Sequence, residues 1–130
     1  MSIAFAINGL GRVGRALLRC SRRFPELSLV AVNDVAPPES LARLVRRDSI
    51  YGPFDGRVEA EDGALLLDGR RISCFRESDP DRIPWERVEP RPPAIVVEAT
   101  GVARTGSFAR AHLRGGVERV VTAWNPKDPR

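Results

Sequence analysis

Apolar and polar positions along this chain alternate between two rhythms: runs that are apolar throughout, and stretches where apolar residues recur every three or four positions. Ser2 to Ile7 is an apolar run that breaks at Asn8-Gly9, which predicts a first strand. From Arg12 to Cys20 the residues Val13, Ala16, Leu17 and Cys20 repeat at helical spacing, so a helix is expected with these four toward the core. Phe24-Pro25 closes it, because a proline cannot continue the hydrogen-bond ladder. Leu27 to Val32 is mostly apolar, with the texture of a second, parallel, buried strand. Past Pro37-Pro38, Glu39 to Val45 puts Leu41, Leu44 and Val45 on one face of a short helix, with proline favourably placed near its start.

The texture then changes. Between Gly56 and Phe75 three strand-like segments are separated by Asp62-Gly63 and Asp68-Gly69, dipeptides that suit tight hairpin turns, so a small antiparallel meander should lead into a sheet strand. Asp79 to Pro93 is proline-rich and reads as a loop that Trp85 pins to the body. Ala94 to Glu98 is a strand, Ser107 to Leu113 a helix stopped by Gly115-Gly116, and Arg119 to Ala123 a last strand. No internal repeat is visible. Alternating strands and helices imply a parallel sheet covered on both faces, and right-handed crossovers narrow this to the doubly wound α/β class. Residues 1–130 are therefore expected to form one domain, a mostly parallel sheet with a small antiparallel meander.

Composition adds exclusions. No apolar run approaches the roughly 20 residues of a membrane-spanning helix. The N-terminal segment lacks the basic start and longer apolar stretch of a secretory signal, so a cytoplasmic protein is expected. Cys20 and Cys74 are too few for a disulfide framework and lack metal-ligand spacing, so both are expected reduced and buried, with no metal site. A net charge of +4 raises the question of nucleic acid, but the arginines are scattered among 17 acids and only 2 Trp, 1 Tyr and 5 Phe are present to stack on bases. Nucleic acid is thus not the expected partner.

The candidate chemistry lies at the first turn. Gly9-Leu10-Gly11-Arg12-Val13-Gly14 fits GxGxxG between a predicted strand and a predicted helix. In that context the first glycine allows the tight turn, the second lets backbone approach a pyrophosphate, and the third lets helix and strand pack closely. The amides of Arg12 and Val13 would face phosphates at the positive end of the helix dipole. Twenty positions beyond Gly14, at the end of the second strand, stands Asp34, where a carboxylate accepts both ribose hydroxyls and repels a 2′-phosphate. This favours NAD over NADP, against the plainer reading that Asn33-Asp34 only makes a turn.

The segment Ala6 to Arg15 also resembles the opening of the glyceraldehyde-3-phosphate dehydrogenases, in which INGFGRIGR is characteristic. Further similar segments follow in family order: Val32-Asn33-Asp34, Asp48 to Phe54, Asp79-Pro80 with Ile83-Pro84-Trp85, Val97 to Val102, Ala111-His112-Leu113 and Lys127-Asp128. The resemblance implies a Rossmann-type domain that binds NAD, with the turn of Gly9, Gly11 and Gly14 as part of the cofactor site, Arg12 and Val13 at the pyrophosphate, and Asn33 and Asp34 near the adenosine. It implies that Thr100 and Gly101 lie along the other half of the cofactor, with Thr122 on the nicotinamide side. Four places depart from the family: Ser78 stands where an Arg by the adenine is usual, Arg47 replaces an aromatic, Ala103 replaces a Phe, and Trp124-Asn125-Pro126 interrupts a Ser-Ala-Pro segment.

The family's reaction uses a thiolate nucleophile, an activating histidine and a phosphate site. No Ser-Cys-Thr-Thr-Asn-Cys-like segment occurs here, Cys20 and Cys74 read as core thiols, and His112 matches the cofactor domain, so it is expected to be a helix-surface or packing residue. The chain is accordingly expected to be the cofactor domain of such an oxidoreductase, truncated before the catalytic domain, holding NAD without oxidising aldehyde. An exposed sheet edge and apolar surface would make it self-associate, unless a catalytic domain or other subunits cover them. Two other readings stand beside it: a non-catalytic protein- or RNA-binding module that keeps the fold, and a sister dehydrogenase for another phosphorylated aldehyde.

Overall fold

Strand β1 (Ile3–Asn8) lies in the interior of a sheet that alternates side chains between two apolar layers. The computed structural model describes residues 2–102 and 105–125. After β1 come α1 (Arg12–Ser21), β2 (Leu27–Asn33), α2 (Pro38–Arg46), a two-residue hairpin of β3 (Arg47–Asp48) and β4 (Gly52–Pro53), then β5 (Val58–Glu61), β6 (Ala64–Leu67) and β7 (Arg70–Phe75). Two 3-10 turns (Pro80–Arg82, Trp85–Arg87), β8 (Ile95–Glu98), α3 (Gly106–Arg110) and β9 (Arg119–Thr122) complete the described chain.

The large sheet runs in the order β5-β6-β7-β2-β1-β8-β9. Strands β7, β2, β1, β8 and β9 are mutually parallel, while β6 and β5 extend the β7 side as an antiparallel meander. This is the doubly wound, Rossmann-type arrangement with its antiparallel meander, as the strand-helix alternation predicts. Turns at Asp62-Gly63 and Asp68-Gly69 join the meander, and Asp68 takes a positive φ of 50° there.

One layer gathers Phe5, Ile7, Leu29 and Val32 with Leu18 of α1 and Leu41 and Val45 of α2. The opposite layer gathers Ala4, Ala6, Val30 and Ala31 with Ile83, Trp85, Val88 and Val117. Leu29 and Val32 share a layer although three apart, because β2 carries an irregularity: Phe5 pairs with Leu29, but Ala6 pairs with Ala31, leaving Val30 as the extra residue.

The structure corrects several sequence expectations. Val13 is 55% exposed and Cys20 is exposed; α1 turns Gly14, Leu18 and Ser21 inward instead. The reason is the approach of Gly14 to the preceding turn, which fixes which face meets the sheet. In α2 the buried set is Leu41, Ala42 and Val45, and Leu44 points out. The third helix ends at Arg110, short of the expected Leu113, because the chain turns to bring His112 into the interior. The β3–β4 hairpin was not foreseen. Arg15 Nε donates to Asp48 Oδ2 at 2.8 Å, Asp48 Oδ1 accepts from the amides of Ile50 and Tyr51, and Arg19 donates to the carbonyls of Val45 and Gly52. Two α1 arginines therefore organise that hairpin.

Candidate cofactor site

Asn8, the last residue of β1, passes the chain into Gly9-Leu10-Gly11, and three different steric demands meet in the next six residues. Gly9 has φ +97°, and a Cβ on it would lie 2.7 Å from the Thr100 nitrogen. At Gly14 a Cβ would lie 2.0 Å from the Gly9 carbonyl oxygen, so α1 packs on the turn at a distance only hydrogen permits. Gly11 differs: among the described residues, nothing beyond its own chain neighbours lies within 4 Å of its Cβ position. Its open side belongs to a cleft of about 400 Å3 at the C-terminal ends of β1, β2 and β8, where the strand order reverses. No side chain caps α1, so its first-turn amides and positive dipole end are presented beside Gly11.

Asp34 lines the same cleft, half-buried. Its Oδ2 accepts from the Leu10 amide at 2.8 Å and its Oδ1 from the Ala36 amide at 3.0 Å. Each oxygen keeps a further lone pair, so the carboxylate is aimed by backbone and still able to accept from a ligand. The Leu10 carbonyl accepts from Arg15 Nη1 at 3.2 Å, which holds the glycine turn from its other side. Asn33 is buried; its Nδ2 donates to Asn8 Oδ1 and the Glu77 carbonyl, and its Oδ1 accepts from the Glu77 amide. Asn33 thereby fixes the wall that carries Glu77 and Ser78, both at the cleft.

Behind the turn a buried polar cluster joins three elements. Asn8 Nδ2 donates to Glu98 Oε1 at 2.6 Å, His112 Nε2 lies 2.8 Å from the same oxygen, and the Trp85 indole donates to His112 Nδ1 at 3.1 Å. Glu98 Oε2 accepts from the Thr100 amide and hydroxyl. Burial pushes the Glu98 carboxyl up, but hydrogen bonds from His112, Thr100 and Asn8 outweigh it, so its pKa falls below the ordinary glutamate value.

Residues 3–106 match the family described as glyceraldehyde 3-phosphate dehydrogenase, NAD binding domain. The chain belongs to that family. Glyceraldehyde-3-phosphate dehydrogenase 2 of Mucor circinelloides f. lusitanicus is 47% identical over 116 residues, which cover 88% of this chain and 33% of that protein. The Yarrowia lipolytica glyceraldehyde-3-phosphate dehydrogenase is 44% identical over 122 residues, covering 93% of this chain and 35% of its own length. That of Salmonella typhimurium is 38% identical over 128 residues, covering 98% and 38%. The chain thus spans about a third of the length of these curated relatives. It is an NAD-binding domain of the glyceraldehyde-3-phosphate dehydrogenase oxidoreductases, and its cofactor is NAD.

In this glyceraldehyde-3-phosphate dehydrogenase domain, Gly9, Gly11, Asn33, Asp34, Ser78 and Thr100 all line the cleft. Arg12 and Val13 are exposed in the first turn of α1, Gly14 is buried beneath Gly9, and Gly101 is exposed beside Thr100. Thr122 does not line the cleft; it ends β9, one strand beyond, in register with Glu98, and its hydroxyl donates to the Trp124 carbonyl. Arg47 is exposed at the β3–β4 hairpin and is not among the cleft-lining residues, while Ala103 and Pro126 lie outside the described residues. Sequence reasoning missed Asn8, Val35, Glu77 and Phe108 in the cleft wall, and the Glu98–His112 pair behind it. A charged residue ending the apolar run Ile95-Val96-Val97 was the available signal for Glu98. His112 is wholly buried, a packing residue and not a surface one. Cys74 is also buried, which pushes its thiol up to about 12.

Proposed function

We propose that the cleft holds NAD with its pyrophosphate on the amides of Arg12 and Val13, its adenosine ribose on Asp34, and its adenine beside Ser78. Thr100 and Gly101 border the other half, and Thr122 stands on the nicotinamide side. One juxtaposition carries this reading: the open side of Gly11, an uncapped helix start and a backbone-aimed carboxylate all face one cleft at the reversal of strand order. Bound NAD supplies a hydride acceptor. In the whole protein the domain would serve phosphorylating oxidation of glyceraldehyde 3-phosphate or a sister phosphorylated aldehyde; the relatives it matches are named glyceraldehyde-3-phosphate dehydrogenases. Exposed Val102 and Val121, with β9 at the sheet edge, support contact with further protein, including a second copy, which sedimentation velocity tests. The two free thiols support a reducing, cytoplasmic setting.

Calorimetric titration with NAD and NADP tests the site. NAD should bind more tightly than NADP, and Asp34→Ala should weaken NAD roughly tenfold to a hundredfold through loss of charge-assisted hydrogen bonds. Tighter binding of NADP, or unchanged NAD affinity in Asp34→Ala, refutes the assignment.

A further inference from the structure

Glu98 ends β8 wholly screened from solvent, and every polar group that reaches it is a donor. Trp85 decides the charge of the cluster. An indole N–H can only donate, and it donates to His112 Nδ1, so that nitrogen carries no proton and the imidazole is neutral, with its one N–H on Nε2 facing Glu98. Neutral donors from Asn8, His112 and Thr100 thus surround the carboxylate, a pattern that suits its ionised form. Among the described residues no Arg or Lys forms an ion pair with it. The fold therefore keeps an uncompensated negative charge behind Thr100, a wall of the cleft.

Asp34 sets which way round a dinucleotide lies. With the adenosine at the end of β2 and the pyrophosphate at the start of α1, the nicotinamide half runs over the ends of β8 and β9, where Glu98 and Thr122 stand side by side. Resting on that cofactor placement, we propose that Glu98 is a specificity-determining residue for oxidation state: its buried charge favours the oxidised cofactor, whose nicotinamide ring is cationic, over the neutral reduced ring. A charge held in the interior is weakly screened and acts across the wall of the cleft.

Glu98→Gln keeps the shape and removes the charge, and Glu98→Asp keeps the charge while shortening the side chain. Each variant and the unaltered protein are titrated calorimetrically with NAD+, NADH and ADP-ribose. The ratio of the NADH to the NAD+ dissociation constant should fall roughly three- to tenfold in Glu98→Gln and stay within about twofold in Glu98→Asp. Simple loosening of the wall moves both cofactors together and leaves that ratio alone. An unchanged ratio in Glu98→Gln with ADP-ribose still bound overturns the charge assignment alone. Failure of the unaltered protein to bind ADP-ribose overturns the cofactor placement instead. Should Glu98→Gln not fold, NMR of the unaltered protein at pH 7 decides: an ionised Glu98 beside a neutral, Nε2-protonated His112 supports the assignment, and a protonated carboxyl or an imidazolium overturns it.

Discussion

Gly14→Ala and Gly11→Ala add the same methyl group three residues apart, and the structure assigns them opposite consequences. At Gly14 the new carbon lands 2.0 Å from the Gly9 carbonyl oxygen, a backbone atom that no rotamer change can move. Ordinary contact begins at 3.4 Å, so α1 must retreat from the turn by about 1.4 Å. Overpacking of this kind costs about 2–3 kcal/mol, and the better helix propensity of alanine returns about 1 kcal/mol. The net loss of about 1–2 kcal/mol lowers the melting temperature by roughly 4–7 °C. The retreat also takes the helix start away from a bound pyrophosphate, and losing two charge-assisted hydrogen bonds weakens NAD about a hundredfold. At Gly11 the carbon enters open space, so the melting temperature should stay within a few degrees, a shift of under about 1 kcal/mol, while NAD affinity still collapses because the methyl fills the approach to the phosphates. Urea and thermal unfolding, paired with calorimetric titration, separate the two. Equal destabilisation by both substitutions, or NAD binding that survives Gly11→Ala, would refute the steric assignment of the turn.

Other outcomes follow from single contacts. The Arg15 hydrogen bond, then the Ile50 amide, lower Asp48 from 3.8 to about 2, so its stabilisation is fully present above about pH 4 and vanishes as pH falls through about 2. The urea midpoint gap between the unaltered protein and Asp48→Asn should therefore narrow from pH 6 to pH 2.5, and a constant gap counts against the pair. Trp85→Phe leaves His112 Nδ1 buried without its donor and should cost about 2 kcal/mol in urea unfolding, where a loss below about 0.5 kcal/mol would mean the indole bond contributes little. At pH 8 a thiol reagent should modify Cys20 alone in the folded protein and both cysteines in guanidinium, because burial holds Cys74 protonated; two fast thiols in the folded state would contradict its burial.

What the sequence revealed is what local chemistry controls. Apolar runs located β1, β2 and β8, Asp-Gly pairs located both turns of the meander, and the glycine spacing located the cleft. The face of α1 escaped because, beside Leu18, its contact with the sheet is made by Gly14 and by Ser21, whose hydroxyl donates back to the Leu18 carbonyl. A count of apolar residues credits Val13 and Cys20 and gives nothing to a glycine. His112 escaped for another reason: its burial depends on Glu98 and Trp85, 14 and 27 residues away, and no local pattern encodes partners at that range. The β3–β4 hairpin likewise depends on arginines of α1 more than thirty residues earlier, so its own sequence showed only a resemblance to relatives.

The extra residue in β2 makes the interval between the phosphate turn and the ribose carboxylate elastic. Val30 is accommodated as a shift in the pairing register, so the strand on either side keeps its phase, and Asn33 and Asp34 arrive at the cleft the same way up with or without it. A relative one residue shorter there could preserve the whole grip on the dinucleotide while failing any search pattern that fixes the distance from glycine to acid.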